Sequence, residues 1–382
     1  MLMNELSSIK LLITGGGTGG HLFPGIALAQ AVEQAYAGSE VVFVGTERKV
    51  DRKALSNLGF IIKTIRCQGL KGKSFAEILT ALCQLPIALF DSLKIIRQFK
   101  PDLVFGVGGY VTGPVILAAR LLGIPTCIHE QNTVPGLANK MLGKIAHRVF
   151  VSLPGSEKYF PADKTILSGN PIRSSLLAKS KEITQHDTTE QLTILILGGS
   201  QGARQLNSLV LEAAKQCLIH LRPLPKLIHQ TGELDEKQVK EVYAELGINV
   251  RVEPFISDMA EVYAQADLIV SRAGATTLAE IMVFSKPAIL VPFPFAADNH
   301  QEKNGRILVE GGGGVMFRQS ELTGEILGNE ICRLLNDKGM LSKMAEKSGE
   351  LAKPEATETI VNNCFELLQS KMAPGTRNHL AI

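Results

Sequence analysis

The sequence predicts an α/β protein built from two doubly wound, Rossmann-like parallel-sheet domains. Three observations carry this. Short apolar, β-rich runs alternate with helical stretches, the pattern of a parallel sheet covered on both faces. The rhythm breaks at Gly169-Asn170-Pro171-Ile172-Arg173, passes through the polar stretch 179–191, and restarts at Thr193. The chain has 382 residues, more than one ordinary core holds.

The elements follow in order. Lys10–Thr14 reads as a buried strand, then a glycine-rich turn, then a helix over Pro24–Tyr36. Glu40–Val44 and Phe60–Arg66 are the next strands, and a long helix covers Ser74–Phe99. Leu103–Gly106 and Thr126–His129 are strands flanking a helix at Pro114–Leu122, and Arg148–Ser152 closes this half. In the second half the strands are Thr193–Leu197, Lys226–Gln230, Asn249–Val252, Leu268–Ser271 and Ala288–Val291. The expected domains are 1–168 and 169–359, facing each other across a cleft. A last helix, about 360–372, is expected to pack back on the first, and the tail from Ala373 reads as disordered. Ligands of such sheets bind beyond the carboxyl ends of the strands.

Composition narrows the function. The six cysteines form no Cys-x-x-Cys pair and lie in apolar company, which predicts reduced core thiols and a cytosolic protein. No secretion signal is visible, and no apolar run reaches the ~20 residues of a spanning helix, so any membrane contact is expected to be peripheral. Residues 1–168 carry 18 Lys+Arg against 11 Asp+Glu, whereas the remainder carries 22 against 26. The basic first half suits an anionic partner such as lipid headgroups or a phosphorylated ligand. No nucleic-acid partner is expected.

Three glycine loops follow strands. Gly15-Gly16-Gly17-Thr18-Gly19-Gly20-His21 precedes a helix and satisfies G-x-G-x-x-G, a pattern that brings backbone amides and a helix N-terminus to an anion. It is not a P-loop, because His21 and Leu22 follow Gly20. Gly106-Val107-Gly108-Gly109-Tyr110 and Gly198-Gly199-Ser200-Gln201-Gly202 repeat the device. One such loop is often only a tight turn; three at equivalent strand ends suit several phosphates, from two phosphorylated ligands.

Polar clusters mark the other strand ends. His129-Glu130-Gln131-Asn132 offers a carboxylate beside a histidine, which suits deprotonation of a sugar hydroxyl. Ser271-Arg272-Ala273-Gly274-Ala275 opens a helix whose amides suit a diphosphate, and Glu280 suits ribose hydroxyls. Asp298-Asn299-His300-Gln301 suits a neutral sugar. The chain has no Asp-x-Asp pair and no His/Cys metal spacing. No metal and no tightly bound cofactor are expected; helix dipoles, Ser200 and Arg173 would neutralise a leaving diphosphate.

GGGTGGHLFP, GVGGYVTGP, HEQN, GNPIR, GGSQGARQLN, SRAGATTLAE and DNHQ, in this order over about Thr14–Asn304, closely resemble the bacterial UDP-N-acetylglucosamine–N-acetylmuramyl-(pentapeptide) pyrophosphoryl-undecaprenol N-acetylglucosamine transferase family. The resemblance implies a GT-B fold and an inverting transfer of N-acetylglucosamine to the 4-hydroxyl of lipid I, giving lipid II at the cytoplasmic face of the membrane. It implies donor contacts at Thr18, Gly19, Gly20, Asn132, Arg173, Ser200, Ile256, Ala275, Thr276, Thr277, Leu278, Ala279, Glu280 and Gln301. Gly15, Gly16, Gly17, Gly108, Gly109, Tyr110 and His129 would serve the acceptor. His21 is the first choice for general base and Glu130 the second. Pro294–Ala297 lies in a segment where the family varies. The partners implied are UDP-N-acetylglucosamine, lipid I, an anionic membrane surface, and cell-wall synthesis or division proteins.

Lys71 and Lys73 precede Phe75, Ile78, Leu79 and Leu82, spaced for one helix face that is either core or membrane contact. Rival functions are an NAD-dependent Rossmann oxidoreductase, which leaves the second and third loops without a role, another GT-B transferase with a different acceptor, and a nucleotide-sugar-binding module without turnover.

Overall fold

The computed structural model describes residues 8–16, 19–46, 55, 58–68, 75–182, 191–199 and 202–372, with backbone only at 19, 75–83 and 372. The chain divides into two compact units, residues 1–174 with the segment from Glu355 onward, and Ser175–Pro354.

Unit 1 holds a seven-stranded parallel sheet ordered β3-β2-β1-β4-β5-β6-β7. Its strands are β1 (Lys10–Thr14), β2 (Glu40–Gly45), β3 (Ile61–Thr64), β4 (Leu103–Gly106), β5 (Thr126–Glu130), β6 (Arg148–Val151) and β7 (Thr165–Leu167). Its helices are α1 (Gly19–Ala35), α2 (Phe75–Phe99), α3 (Thr112–Leu121) and α4 (Leu137–Ile145). Strand side chains alternate between faces. Leu11 and Ile13 of β1 therefore enter one core with α1, and Leu12 enters the other with α3. Each such fully buried aliphatic side chain contributes about 1.5–3 kcal/mol.

Unit 2 opens with α5 (Ser174–Glu182) and holds a six-stranded parallel sheet ordered β10-β9-β8-β11-β12-β13. The strands are β8 (Thr193–Leu197), β9 (Lys226–Gln230), β10 (Val250–Glu253), β11 (Leu268–Ser271), β12 (Ala288–Leu290) and β13 (Gly314–Met316). The helices are α6 (Arg204–Gln216), α7 (Glu236–Glu245), α8 (Met259–Gln265), α9 (Ala275–Val283), α10 (His300–Glu310), α11 (Gly324–Asn336) and α12 (Lys338–Glu350).

The last helix, α13 (Ala356–Met372), belongs to unit 1. Phe365 stacks on Tyr36 at 3.6 Å, and Cys364 Sγ lies 3.8 Å from Cys127 Sγ in the same core. The helix begins a turn earlier than its apolar pattern indicates. Thr357 explains this: its hydroxyl accepts from Ile172 N at 3.2 Å, tying the helix start to the Gly169–Arg173 segment.

Both sheets are of the doubly wound parallel kind expected. The edge strands β7 and β13 were not anticipated; each has three residues and is only partly buried, so neither shows as an apolar run, whereas β12, equally short, is fully buried. Cysteine placement corrects an expectation: Cys127 and Cys364 are buried, but Cys67, Cys217 and Cys332 are only half-buried. The side chain of Cys83 and the tail from Ala373 lie outside the described residues. Among the described residues no helix is long and apolar enough to cross a membrane.

Candidate active site

The order of each sheet reverses at one point, between β1 and β4 in unit 1 and between β8 and β11 in unit 2. A doubly wound sheet opens its crevice there. Three of the glycine loops and the SRAGA segment follow these four strands.

In unit 1 the first two loops pack on each other. Val107 N donates to the Thr14 carbonyl at 2.8 Å. Gly108 has φ +101°, and a Cβ there would lie 2.9 Å from His21 Nδ1. Only glycine therefore lets the second loop lie against the His21 ring. Thr112 closes that loop by donating to the Gly108 carbonyl at 2.8 Å. His21 stands on the first turn of α1, half-buried, with Nδ1 2.9 Å from Gln131 Oε1. Arg173 lies with its guanidinium 5.0 Å from the Phe23 ring of the same helix.

The HEQN residues diverge in role. His129 is fully buried, and burial pushes its imidazole down to about 4, so it is neutral near pH 7. Its Nε2 lies 3.1 Å from both the Gly169 carbonyl and Ser152 Oγ. Gln131 donates from Nε2 to the Val107 carbonyl at 2.9 Å and contacts His129 Nδ1 at 3.0 Å. Glu130 is 2% exposed and both its oxygens are engaged. Oε1 accepts from Asn132 N at 3.0 Å and Asn132 Nδ2 at 3.1 Å; Oε2 accepts from Asn139 Nδ2 at 2.8 Å and Gly136 N at 3.3 Å. The carboxylate fastens the strand-end loop to α4 and aims Asn132.

In unit 2, Gly202 has φ +77°, and a Cβ there would lie 2.5 Å from the Thr231 carbonyl. Gln230, at the end of β9, donates from Nε2 to the Gly199 carbonyl at 3.1 Å and accepts from Ile256 N at 3.0 Å. It joins the third glycine loop to the turn that carries Ile256. Gly274 precedes α9 in extended backbone, so the first-turn amides of Ala275, Thr276 and Thr277 lie at the strand end, while Leu278 N bonds back to Gly274. Leu278 is fully buried and serves the core. Ala279 follows it on the same helix. Glu280 is buried and its Oε2 accepts from the Tyr263 hydroxyl at 2.9 Å.

Gln301 accepts at Oε1 from Phe293 N at 2.9 Å, across the loop that links β12 to α10. Asp298 and Asn299 take left-handed backbone in that loop. Glu302 receives Asn299, Arg306 and Arg318, and Arg318 above all holds its carboxyl down at about 2. Arg272 donates to the Val291 carbonyl at 2.9 Å and to Gln319 Oε1 at 2.7 Å, and burial lowers it to about 10.

The structure thus gathers Gly15, Gly16, Gly20, His21, Gly108, Gly109, Tyr110, His129 and Glu130 with Asn132 around the reversal point of unit 1. It gathers Ile256, Ala275 to Glu280 and Gln301 on the corresponding strand ends of unit 2. Gly17, Thr18, Ser200, Lys71 and Lys73 lie outside the described residues, as do the side chains of Phe75, Ile78, Leu79 and Leu82. Asn139 and Gln230 are not among the sequence-predicted site residues, and Gln131 is there only as part of HEQN. Gln230 was detectable as a polar residue ending an apolar strand, the signal that marked HEQN. An open groove of about 710 Å³ in unit 1, lined by residues such as Lys63, Arg66, Cys67, Asp91 and Lys94, shares no residue with the glycine loops. Among the described residues no group of three or more His, Cys, Asp or Glu is placed to hold a metal ion.

The glycosyltransferase family 28 N-terminal domain matches residues 11–151, and the family 28 C-terminal domain matches residues 193–360. A UDP-N-acetylglucosamine–N-acetylmuramyl-(pentapeptide) pyrophosphoryl-undecaprenol N-acetylglucosamine transferase from Desulfotalea psychrophila is 49% identical over 96% of this chain and 99% of its own. The chain belongs to that transferase family. A member from Myxococcus xanthus is 45% identical over 98% of this chain and 97% of its own. The crystal structure of Acinetobacter baumannii MurG superposes with a TM-score of 0.74 at 32% identity, covering 94% of this chain and 99% of that one. The two parallel α/β units are GT-B-like, as the motifs of this transferase family imply. A putative UDP-N-acetylglucosamine 2-epimerase from Listeria monocytogenes, at 15% identity and TM-score 0.66, shares the fold.

Proposed function

We propose that the enzyme transfers N-acetylglucosamine from UDP-N-acetylglucosamine to the 4-hydroxyl of the N-acetylmuramyl unit of lipid I, with inversion, giving lipid II for peptidoglycan. Near full-length identity to transferases of that name supports the reaction. The single structural observation that carries its residue-level form is His21, aimed by Gln131 at the reversal point of the unit 1 sheet.

His21 is the general base in this reading. The acceptor O–H bond breaks, its electron pair forms the new bond to the anomeric carbon, and the proton goes to the imidazole. The bond from that carbon to the diphosphate breaks, and UDP leaves with its electron pair. The transition state is oxocarbenium-like, so positioning and leaving-group charge matter most. The first-turn amides of α9, with Arg173 and Ser200, take up the charge on the diphosphate. That charge neutralisation is the basis for proposing turnover without a divalent ion. Glu280 binds the ribose, Ile256 the uracil and Gln301 the sugar. Glu130 positions Asn132 rather than moving the proton, because four donors already occupy its oxygens.

A membrane-surface contact is part of the same reading, since the acceptor is lipid-borne. Leu137, Met141 and Ile145 recur at i, i+4 and i+8 on α4 and are 74%, 63% and 37% exposed. Lys140 and Lys144 lie on the same helix. An apolar stripe with basic company suits an anionic bilayer surface at the cytoplasmic face.

Incubation with labelled UDP-N-acetylglucosamine and a short-chain lipid I analogue, in EDTA, tests the reaction. Labelled disaccharide-lipid is expected. UDP binding without product would leave a donor-binding protein with another acceptor or none.

A further inference from the structure

Two backbone carbonyls fix the protonation of a buried network in unit 1, and through it the atom that His21 presents. A carbonyl oxygen only accepts hydrogen bonds. His129 Nε2 lies 3.1 Å from the Gly169 carbonyl, so the proton of that ring sits on Nε2. Ser152 Oγ, also 3.1 Å from Nε2, donates its own hydrogen to Asn170 Oδ1 at 3.3 Å and so agrees with this. With the ring neutral and fully buried, His129 Nδ1 carries a lone pair.

Gln131 lies next in the network. One end of its amide faces the Val107 carbonyl at 2.9 Å and His129 Nδ1 at 3.0 Å. Both accept, so that end must be the NH2 group, which settles the orientation of the amide. The other end, the oxygen, faces His21 Nδ1 at 2.9 Å. An amide oxygen cannot donate, so His21 carries a proton on Nδ1. When neutral, His21 then holds its lone pair on Nε2, which has no hydrogen-bond partner among the described residues. Free histidine favours the opposite tautomer.

We infer that Gln131 is a positioning residue that locks His21 in the Nδ1–H tautomer, its amide polarity set by His129 and the Val107 carbonyl, so that Nε2 is the atom receiving the acceptor's proton. The inference rests on the reading of His21 as general base. In the transfer step the proton leaves the acceptor oxygen for Nε2, the oxygen's electron pair closes the glycosidic bond, and UDP departs. The imidazolium so formed keeps its Nδ1–H bond to Gln131.

Long-range ¹H–¹⁵N correlation of the histidine-labelled full chain reads the tautomer directly. His21 is assigned by the signals lost in His21→Gln. The expected pattern is a protonated Nδ1 and an unprotonated Nε2 in the neutral ring; the reverse pattern overturns the inference. Two variants add a kinetic reading at saturating lipid I analogue. Gln131→Glu keeps an acceptor for His21 Nδ1–H and, as the neutral acid, a hydroxyl that donates toward the Val107 carbonyl in place of the NH2, and is expected to hold both the tautomer and kcat to within ~10-fold. Gln131→Met fills the space but offers no comparable acceptor, and is expected to lose ~10²-fold in kcat with KM little changed. A merely structural Gln131 predicts the reverse ranking, because burying a polar carboxyl group costs more than burying a thioether; that ranking overturns the inference. The two readings fail separately. An Nδ1–H signature together with wild-type kcat in His21→Gln overturns the base assignment and the catalytic purpose of the lock. An Nε2–H signature with inactive His21→Gln overturns the lock and leaves the base assignment standing.

Discussion

Glu130 and His21 end in the same corner of unit 1, yet their surroundings give them different work. Among the described residues Glu130 accepts four hydrogen bonds and is 2% exposed, whereas His21 makes one and is half-buried. Glu130→Gln turns an NH2 toward donors, and an unsatisfied buried donor costs about 1–3 kcal/mol. The expected outcome is a lower urea midpoint for unit 1, with kcat falling only as far as Asn132 is misaligned. A Glu130→Gln chain of undiminished stability that has lost turnover selectively would move the base to Glu130. The tetrapeptide stands out in the sequence as four polar residues ending an apolar strand, yet His129, Glu130 and Gln131 are buried in a hydrogen-bonded network. The division of labour within it was not legible, because it depends on Asn139, ten residues past His129, and on the Gly169 carbonyl, forty residues past it.

The strands were legible as apolar runs of four or five residues, and the glycine loops as breaks at their carboxyl ends. β7, β13 and α4 were not, for two physical reasons. The strands are short and only partly buried, and α4 presents Leu137, Met141 and Ile145 outward and turns Leu142 inward, so its apolar spacing marks no core face. The loops themselves depend on missing side chains. Gly108→Ala would drive a methyl to 2.9 Å from the His21 ring at φ +101°, and Gly202→Ala would drive one to 2.5 Å from the Thr231 carbonyl at φ +77°. Each strained backbone costs about 1–3 kcal/mol before the clash is counted. Gly108→Ala is expected to lower kcat by displacing His21, whereas Gly202→Ala, in unit 2, is expected to weaken UDP binding, measured by calorimetry. Equal effects of both on kcat alone would contradict this assignment.

At the scale of the whole molecule, each unit carries a buried histidine held neutral: His129, lowered to about 4, and His229, lowered to about 3, both by burial. In the unfolded chain both titrate near the ordinary value of about 6.5. Between about 4 and 6.5 the unfolded state binds more protons, so stability rises with pH through that window and is lost as pH falls through it. Each unit is expected to lose about 1–3 kcal/mol between pH 7 and pH 4 from this source. Urea midpoints unchanged from pH 7 to pH 5 would contradict it. The α4 stripe is tested by Leu137→Glu with Met141→Glu. Folded variants are expected to lose at least ~10-fold in partition to anionic vesicles, at about 1 kcal/mol or more per altered contact, while turnover of a soluble acceptor analogue persists. Undiminished vesicle binding would place the contact elsewhere. The central claim is metal-independent transfer by an enzyme whose base is His21. Its most direct test is the rate of labelled N-acetylglucosamine transfer to a lipid I analogue in EDTA, for the wild-type chain beside His21→Gln. The account predicts full wild-type turnover and a fall of ~10²–10⁴ in kcat for the variant, with UDP binding kept. Turnover that vanishes with EDTA, or a His21→Gln chain as fast as wild type, would contradict it.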